Sequence, residues 1–428
     1  MNTGSGIPLI DFINCFSNTL DLVSPSVMNH HKRVAYIAFR IATELKLPRR
    51  EVENIFLASL LHDIGVFSLN DRLNALQFEI DFKQPGLLYH GLLGQTFLEK
   101  YFPLLEVAPL VGAHHLYWQD RGSYPCDAAT LLGSQIIHLA DRTDILVDGN
   151  QAILGQIPGL MSRIEEQAGK MFHPEPVRVL KALSTQESFW FDIVNPQNIP
   201  MIAAQFEPDM LRLDSDGLLS LAKAFCHIID FRSPFTATHS VGVSVCARAL
   251  AELMNFSARE AHDMQIAGYL HDLGKLAIPL EILEKPDKLT ESEYDIIKSH
   301  SYYGYRALET VPGLQRVNTW GSLHHERLDG QGYPFHIEAK DLSTGSRIVA
   351  VADIFTALSE DRPYRKGLAA EKALQILIKH AEKGAIDRDV VAVLAENINQ
   401  VNDLRDKAQN EAGLEYQNFS AKQELKAV

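Results

Sequence analysis

The chain has 428 residues, which at about 100 to 200 residues per domain predicts two or three domains rather than one. Hydrophobic residues make up 46% and charged residues 22%, a composition that excludes a disordered or low-complexity chain. The formal net charge of −14 disfavours DNA and anionic membranes as partners, and no run of about 18 apolar residues occurs, so we expect a cytoplasmic protein.

The first half of the chain predicts a series of helices. Pro48 stands near a helix start, and the apolar residues between Ile55 and Leu61 lead to the pair His62-Asp63. The helical period weakens between Asn195 and Asp214, where three prolines fall, which is typical of a linker. We therefore assign residues 1–194 to an N-terminal domain and residues 195–214 to a linker.

The second half predicts another helical domain over residues 215–403, followed by a polar, loosely attached tail over residues 404–428. Two helix starts carry capping boxes, Ser257 with Glu260 and Thr290 with Glu293. The first of these helices leads to His271-Asp272 and the second to His300. Apolar residues on both sides of Asp353 place this carboxylate in a mostly buried helix. Because strand patterns are scarce, the predicted fold class is all-α.

The two halves repeat one pattern of histidines and aspartates. Matching positions occur in the same order, at a separation that drifts from 208 to 212 residues: His31 with His239, His62-Asp63 with His271-Asp272, His90 with His300, His114-His115 with His324-His325, and Asp141 with Asp353. Histidine accounts for only 17 of the 428 residues, so chance does not explain five ordered matches. The chain therefore contains two copies of one module.

The repeated residues of the second copy supply only nitrogen and oxygen ligands. They are His239, His271, Asp272, His300, His324, His325 and Asp353. Seven side chains are too many for one tetrahedral ion, so we expect two divalent ions. Imidazole and carboxylate without thiolate favour iron, manganese or zinc. Because paired ions about 3.5 to 4 Å apart are typical of phosphoester hydrolysis, this is the predicted chemistry.

Four motifs of the second copy resemble the HD-GYP subgroup of the HD phosphohydrolases. They occur in family order as Tyr269-Leu-His-Asp-Leu-Gly-Lys275, His324-His-Glu-Arg-Leu-Asp-Gly-Gln-Gly-Tyr-Pro334, Arg347-Ile-Val-Ala-Val-Ala-Asp353 and Asp361-Arg-Pro-Tyr-Arg365. The resemblance covers about residues 215 to 400 and implies an all-helical phosphodiesterase of bacterial cyclic dinucleotides, either cyclic di-GMP or 3′,3′-cyclic GMP-AMP. An HD module placed before an HD-GYP module resembles the branch that hydrolyses 3′,3′-cyclic GMP-AMP.

The resemblance also implies individual roles, with iron or manganese as the metal. One ion would be held by His239, His271, Asp272 and Asp353, and the other by His300, His324 and His325, with Asp272 as the bridge. Lys275 would meet the scissile phosphate beside the catalytic carboxylate, Tyr333 would cover the site, and Arg347 and Arg365 are candidate contacts to phosphate or base. Family members with a third ion use a glutamate where this chain has Phe235, so two ions are expected.

The first copy keeps the ligand pattern at His31, His62, Asp63, His90, His114, His115 and Asp141, which predicts a further metal site. It departs from the second copy elsewhere, because Val66 stands in the place of Lys275 and no arginine-rich segment follows. The segment Gly122-Ser-Tyr-Pro125 replaces the Gly-Tyr-Pro loop. We expect this module to act on a smaller phosphoester, such as the 5′-phosphate of a linear dinucleotide. A structural or regulatory duplicate is the alternative.

Two other functions stay open for the whole chain. A generic HD nucleotidase acting on mononucleotides would use the same metal ligands, and a messenger-binding sensor or scaffold would bind without turnover. The favoured hypothesis is a metal-dependent phosphodiesterase that opens a cyclic dinucleotide to the linear 5′-phosphorylated product. We expect no DNA partner and no membrane partner, and the sequence leaves open whether the chain is a monomer or a homodimer.

Overall fold

Helices dominate both halves of the chain, which confirms the predicted all-α class with two tandem helical domains. The computed structural model describes residues 6–22, 29–65, 85–101, 104–195, 202, 212–231, 236–285, 287–361 and 366–424. Most of the predicted linker, residues 196–201 and 203–211, lies outside this range. Within it, one short antiparallel pair joins β1 (Ile7–Pro8) to β2 (Arg212–Leu213).

The first module is built from nine helices among the described residues. They are α1 (Leu9–Asp21), α2 (His30–Glu44), α3 (Arg49–Leu61), α4 (Pro85–Leu98), α5 (Ala108–Gly112), α6 (Ala128–Ile145), α7 (Ile153–Glu166), α8 (Pro174–Leu183) and α9 (Glu187–Val194). Helix α2 packs against α3 and α6, so this packing brings together three of the segments that carry the repeated histidines and aspartates. None of the described helices in the chain is long and apolar enough to span a membrane.

The second module repeats this arrangement. Its helices are α10 (Ser215–Asp230), α11 (His239–Leu253), α12 (Ala258–Leu270), α13 (Leu280–Leu283), α14 (Glu291–Glu309), α15 (Gln315–Ser322), α16 (Thr344–Ser359), α17 (Ala370–Glu382), α18 (Arg388–Glu396) and α19 (Ile398–Glu424). Helix α11 packs against α12 and α16, as α2 does against α3 and α6. Both predicted capping boxes are present, at the starts of α12 and α14, with each side chain bonded to the partner residue's backbone.

A glycine follows the His-Asp pair in each module and allows a close approach between elements. A Cβ atom added to Gly274 would overlap the carbonyl oxygen of His300, and one added to Gly65 would overlap that of His90. Only a residue without a side chain lets the turn after the His-Asp pair lie against the helix that carries the third histidine. This contact sets how near that histidine comes to the aspartate.

The two modules share one hydrophobic core, because α1 packs on the second module. The rings of Phe16 and Phe225 stack with their centroids 3.8 Å apart, and Phe12 lies 5.1 Å from the same ring. Nearby, the hydroxyl of Tyr101 is 3.0 Å from Nδ1 of His227. These buried aromatic contacts hold the modules together by burial of apolar surface.

The C-terminal helix α19 differs from the loosely attached tail that the sequence predicts. It packs along α11, and Val401 and Ala412 are buried against the core. The side chain of Gln409 donates a hydrogen bond to the carbonyl of Thr238, at 3.2 Å. The helix is polar on average, but a few apolar and small residues on one face are enough to fix it to α11.

Candidate metal centres

The second module brings its seven predicted ligands to one buried place. His239 begins α11, His271 and Asp272 follow α12, His300 lies in α14, His324 and His325 follow α15, and Asp353 lies in α16. Five helices therefore contribute to one cluster. Each ligand is held by a different part of the core, so their relative positions are set by helix packing.

Asp272 lies between two groups of histidines. Its Oδ2 atom is 3.0 Å from Nε2 of His271, and its Oδ1 atom is 3.3 Å from Nε2 of His300. The ligand atoms form three overlapping sets within 4.8 Å of one another: His239 with His271 and Asp353, His300 with His324 and His325, and His271 with Asp272 and His324. Asp272 therefore lies next to both histidine groups, in a cluster whose ligand atoms could hold divalent metal.

Hydrogen bonds fix which nitrogen of each histidine faces the cluster. Nδ1 of His271, His300 and His324 donates to the carbonyl oxygen three residues earlier, at 2.8, 2.5 and 2.7 Å. Nδ1 of His239 donates instead to the carboxylate of Glu360, at 2.9 Å. With Nδ1 engaged in this way, Nε2 of each ring is directed inward, as in metal-ligating histidines that are oriented by an outer partner.

The donor set fits divalent ions chemically. The buried Nε2 atom of His324 has no hydrogen-bond partner among the described residues, and that of His271 lies 3.0 Å from Asp272 without forming an aligned hydrogen bond. Such buried polar atoms are costly unless a ligand is bound. Burial, followed by the neighbouring His300, lowers the pKa of His325 to about 3, so the ring is neutral. Burial opposes ionisation of Asp272, but His271 and Lys275 outweigh it and hold its pKa well below the usual value. Neutral imidazoles around a carboxylate are the ligands that such ions require.

Lys275 and Tyr333, two predicted substrate contacts, lie beside this cluster. Nζ of Lys275 is 2.5 Å from Oδ2 of Asp272, and its side chain is about one-fifth exposed (21%). The ring of Tyr333 lies 4.7 Å from that of His325 and lines a cavity of about 460 Å³ that opens next to the histidines. Both side chains therefore lie next to the cluster, Lys275 against Asp272 and Tyr333 against His325.

Arg347 is placed differently from the prediction. Its guanidinium pairs with Asp387 at 2.8 Å and also donates to the carbonyl oxygens of Leu342 and Ala339. These bonds engage all three guanidinium nitrogens, so Arg347 joins α16 to α18 and does not face the cluster. The predicted contact Arg365 and the residue Phe235, on which the two-ion expectation depends, lie outside the described residues.

The first module assembles a similar cluster. Nε2 of His90 is 3.2 Å from Oδ1 of Asp63, and the opposite oxygen is 3.6 Å from Nε2 of His62. One set of ligand atoms within 4.8 Å comprises Asp63, His90, His114 and His115. Asp141 is 3.8 Å from His62 on the other side of the cluster. Six of the seven predicted residues are thus brought together.

The seventh residue is His30, and the prediction of His31 is wrong on this geometry. Nε2 of His30 lies 3.4 Å from Oδ1 of Asp141, and His30 joins His62 and Asp63 in a set of ligand atoms. Nδ1 of His31 instead pairs with Asp21, at 2.5 Å. Neighbouring residues on a helix point about 100° apart, so only one of the two can face the cluster. His30 is the first residue of α2, as His239 is of α11.

Two further side chains of the first module were missed by the sequence reasoning. The buried guanidinium of Arg142 lies 3.0 Å from Asp141, and the buried ring of His138 lies 5.5 Å from that of His115. Their counterparts beside Asp353 are Ile354 and Ala350, which line the cavity of the second module. In the sequence, these two residues could have been found only by aligning α6 with α16 and comparing the residues at matching positions. Val66, the counterpart of Lys275, lies outside the described residues.

Two helical modules, each with a His-Asp pair between histidine groups, define an HD-domain hydrolase that could hold divalent metal ions. Comparison with known proteins agrees, because the HD domain family matches residues 27–146 and a second HD domain family matches residues 223–390. The 3′3′-cGAMP-specific phosphodiesterase 1 of Vibrio cholerae is 30% identical over 401 residues, covering 90% of this chain and 91% of the relative. A cyclic di-GMP phosphodiesterase of Thermotoga maritima is 35% identical over 162 residues, covering 37% of this chain and 44% of the relative.

The chain therefore belongs to the HD-type phosphodiesterases with tandem HD domains, which confirms the resemblance found in its motifs. A crystal structure of a cyclic GMP-AMP-specific phosphodiesterase of Vibrio cholerae, V-cGAP3, has the same fold. It superposes with a TM-score of 0.63 at 24% identity and covers 92% of this chain and 98% of the other. The chain is accordingly a hydrolase, as the ligand pattern predicts.

Proposed function

We propose that the second module hydrolyses one phosphodiester bond of a bacterial cyclic dinucleotide, 3′,3′-cyclic GMP-AMP or cyclic di-GMP, and releases the linear 5′-phosphorylated dinucleotide. The observation that carries this proposal is the position of Asp272, whose two oxygens face separate histidine groups. The names of the matching relatives, which are phosphodiesterases of these two messengers, support the same substrate class.

We assign two divalent ions, iron or manganese, to the seven ligands of the second module. When bound, such paired ions supply an activated water and neutralise charge on the phosphoryl oxygens. The chain contributes the rest. Asp272 lies between the two histidine groups and fixes their relative positions. Lys275 adds a cation beside Asp272 that can bind a phosphoryl oxygen as negative charge develops on it. Tyr333 covers the side of His325 and shields the site from water.

Product analysis tests this function. The full chain is incubated with manganese or iron(II) and with cyclic GMP-AMP, cyclic di-GMP or a mononucleotide, and the products are separated by chromatography. We expect a linear dinucleotide from at least one of the rings. Release of phosphate from the mononucleotide alone would indicate a generic nucleotidase. Binding of a ring without any product would indicate a sensor or scaffold.

We propose a second activity for the first module, the removal of the terminal 5′-phosphate from the linear product. The observation that favours it is Arg142, a buried cation beside Asp141 at a place where the second module has Ile354. Arginine binds a phosphate through several hydrogen bonds in a fixed geometry. Because His138 fills the space next to His115, the site suits a small phosphate group better than a ring with two phosphates.

The test of this second activity is the double variant His62→Ala, Asp63→Ala in the full chain. Both residues belong to the first cluster, so the ring should still open while the phosphorylated linear dinucleotide accumulates. Arg142→Ala should cause the same accumulation, because it removes the cation. If the dinucleotide is dephosphorylated at the wild-type rate in the double variant, the first module is a structural or regulatory duplicate.

A further inference from the structure

The cavity beside the second cluster has lining residues that the metal chemistry does not use. Its volume is about 460 Å³, within the range of small-molecule sites. His324 and His325 form its inner wall, and the rings of Tyr294 and Tyr333 line it together. The end of α17 and the turn that follows it contribute His380 and Lys383. We call this space the α17 cavity.

The α17 cavity is locally basic in a strongly acidic chain. His380 and Lys383 make no side-chain hydrogen bond or ion pair with any residue that the structure describes. The acidic residue of the lining, Glu326, is already engaged, because its carboxylate accepts hydrogen bonds from the backbone of Phe335 at 2.7 Å and Ile337 at 3.0 Å. Arg327, another cation of the lining, is paired with Asp329. Lys383 is therefore the cation of the lining that is left to meet an anion from solution, with the ring of His380 beside it as a hydrogen-bonding group.

A cyclic dinucleotide presents more than its reacting bond. It carries two phosphates and two bases in one ring, and the cluster around Asp272 can hold only the phosphate that is cleaved. The other half of the ring needs space next to the histidines and a partner for its charge. Resting on the function proposed above, we infer that the α17 cavity binds the non-reacting half of the ring, with Lys383 and His380 facing its phosphate.

The first module has larger side chains at two positions that line this cavity in the second module. Ala350 and Ile354 line the cavity on α16, one turn before Asp353 and directly after it. The equivalent positions on α6 are His138 and Arg142, whose larger side chains are buried against the first cluster. The two modules thus share a metal-ligand pattern and differ in the space beside it, which fits recognition of different substrates by one fold.

The experiment compares a ring with a diester that lacks a second phosphate. The double variant His380→Ala, Lys383→Ala of the full chain is assayed with the cyclic dinucleotide and with bis(p-nitrophenyl) phosphate, and its metal content is measured. Loss of these two contacts, of which Lys383 supplies the charge-assisted one, should raise KM for the ring at least about tenfold. The kcat/KM for the small diester and the metal content should stay at wild-type values. Lys379→Ala, which removes a neighbouring exposed lysine outside the cavity, is the matched control and should leave both substrates unaffected.

The outcomes separate this inference from the proposed function. An unchanged KM for the ring in the double variant, with a wild-type enzyme that opens the ring, would overturn the role of the cavity alone. An equal rise in KM for both substrates would also overturn it, because the two residues would then act through the cluster. A wild-type enzyme that cleaves the small diester and leaves every ring intact would overturn the proposed function itself.

Discussion

Nε2 of His30 lies 3.4 Å from Oδ1 of Asp141, just as Nε2 of His239 lies 3.1 Å from Oδ1 of Asp353. Each of these histidines also has its Nδ1 atom fixed by an outer carboxylate, Asp144 in the first module at 2.8 Å and Glu360 in the second. The outer carboxylate thus comes from within α6 in the first module and from the residue that follows α16 in the second. The geometry of the inner ligands is kept although the residue that orients them has changed.

His30 and His31 should separate metal binding from stability. His30→Ala removes a ligand, so the metal content of the first module should fall while that of the second stays constant. The His31→Ala variant should keep the metal content of the first module. Its free energy of unfolding should fall by about 1 to 3 kcal/mol, because the substitution removes a buried hydrogen bond to Asp21. Elemental analysis and thermal unfolding of both variants check this. Loss of metal from His31→Ala with full occupancy in His30→Ala would reverse the assignment.

Asp272→Ala should abolish ring opening while the protein still folds. The substitution removes the carboxylate shared by the two histidine groups, and a residual rate below about 1% of wild type is expected, as for groups that act as a unit. Turnover is measured by chromatography, with circular dichroism as the control for folding. Turnover near the wild-type rate in a folded variant that has lost metal would refute the shared-carboxylate mechanism.

Lys275→Ala should have a milder and different effect. The cation beside Asp272 contributes about 2 to 4 kcal/mol to the transition state, which corresponds to a fall in kcat of roughly 30- to 1000-fold with metal content kept. Lys275→Arg, which keeps the charge on a different shape, is the matched control and should lose less. If metal is lost from Lys275→Ala in proportion to activity, the residue supports the ligands and does not act on the substrate.

The second module should hold two ions and not three. The family resemblance implies that a third ion would need a glutamate at position 235, where this chain has Phe235, which offers no metal-binding atom. The triple variant His62→Ala, Asp63→Ala, His114→Ala takes ligands from both sides of the first cluster and leaves the second intact. Elemental analysis of this full-length variant should approach two ions per chain. Three ions per chain would contradict the prediction.

The parts of the site that the sequence predicted are those set by local spacing. The capping box of Ser257 and Glu260 fixes where α12 begins. Because the helix then runs to Leu270, His271 and Asp272 follow directly at its C-terminal end. His30 was missed because the letters of α2 and α11 match best one residue out of register. The match in the sequence depends on Arg and Glu residues on the outer faces of these helices. The inward-facing histidine is instead the first residue of each helix, His30 in α2 and His239 in α11.

Long-range partners account for the remaining differences. Nothing near Arg347 in the sequence indicates that Asp387, 40 residues later, would take its guanidinium. Likewise, Arg142 follows Asp141 directly and gives no local signal that its charge is buried in the cluster. Its role emerges only when α6 is laid over α16 and Ile354 is found in its place.

The stacking of Phe16 on Phe225 has a consequence for synthesis of the chain. Helix α1 is synthesised about 200 residues before its partner ring, which at about 5 to 20 residues per second is a lag of roughly 10 to 40 seconds. Throughout that interval the apolar face of α1 that carries Phe12 and Phe16 lacks its cover from the second module. The first module therefore completes its packing only after α10 has been synthesised. Until then, the apolar face of α1 in the nascent chain is accessible to chaperones.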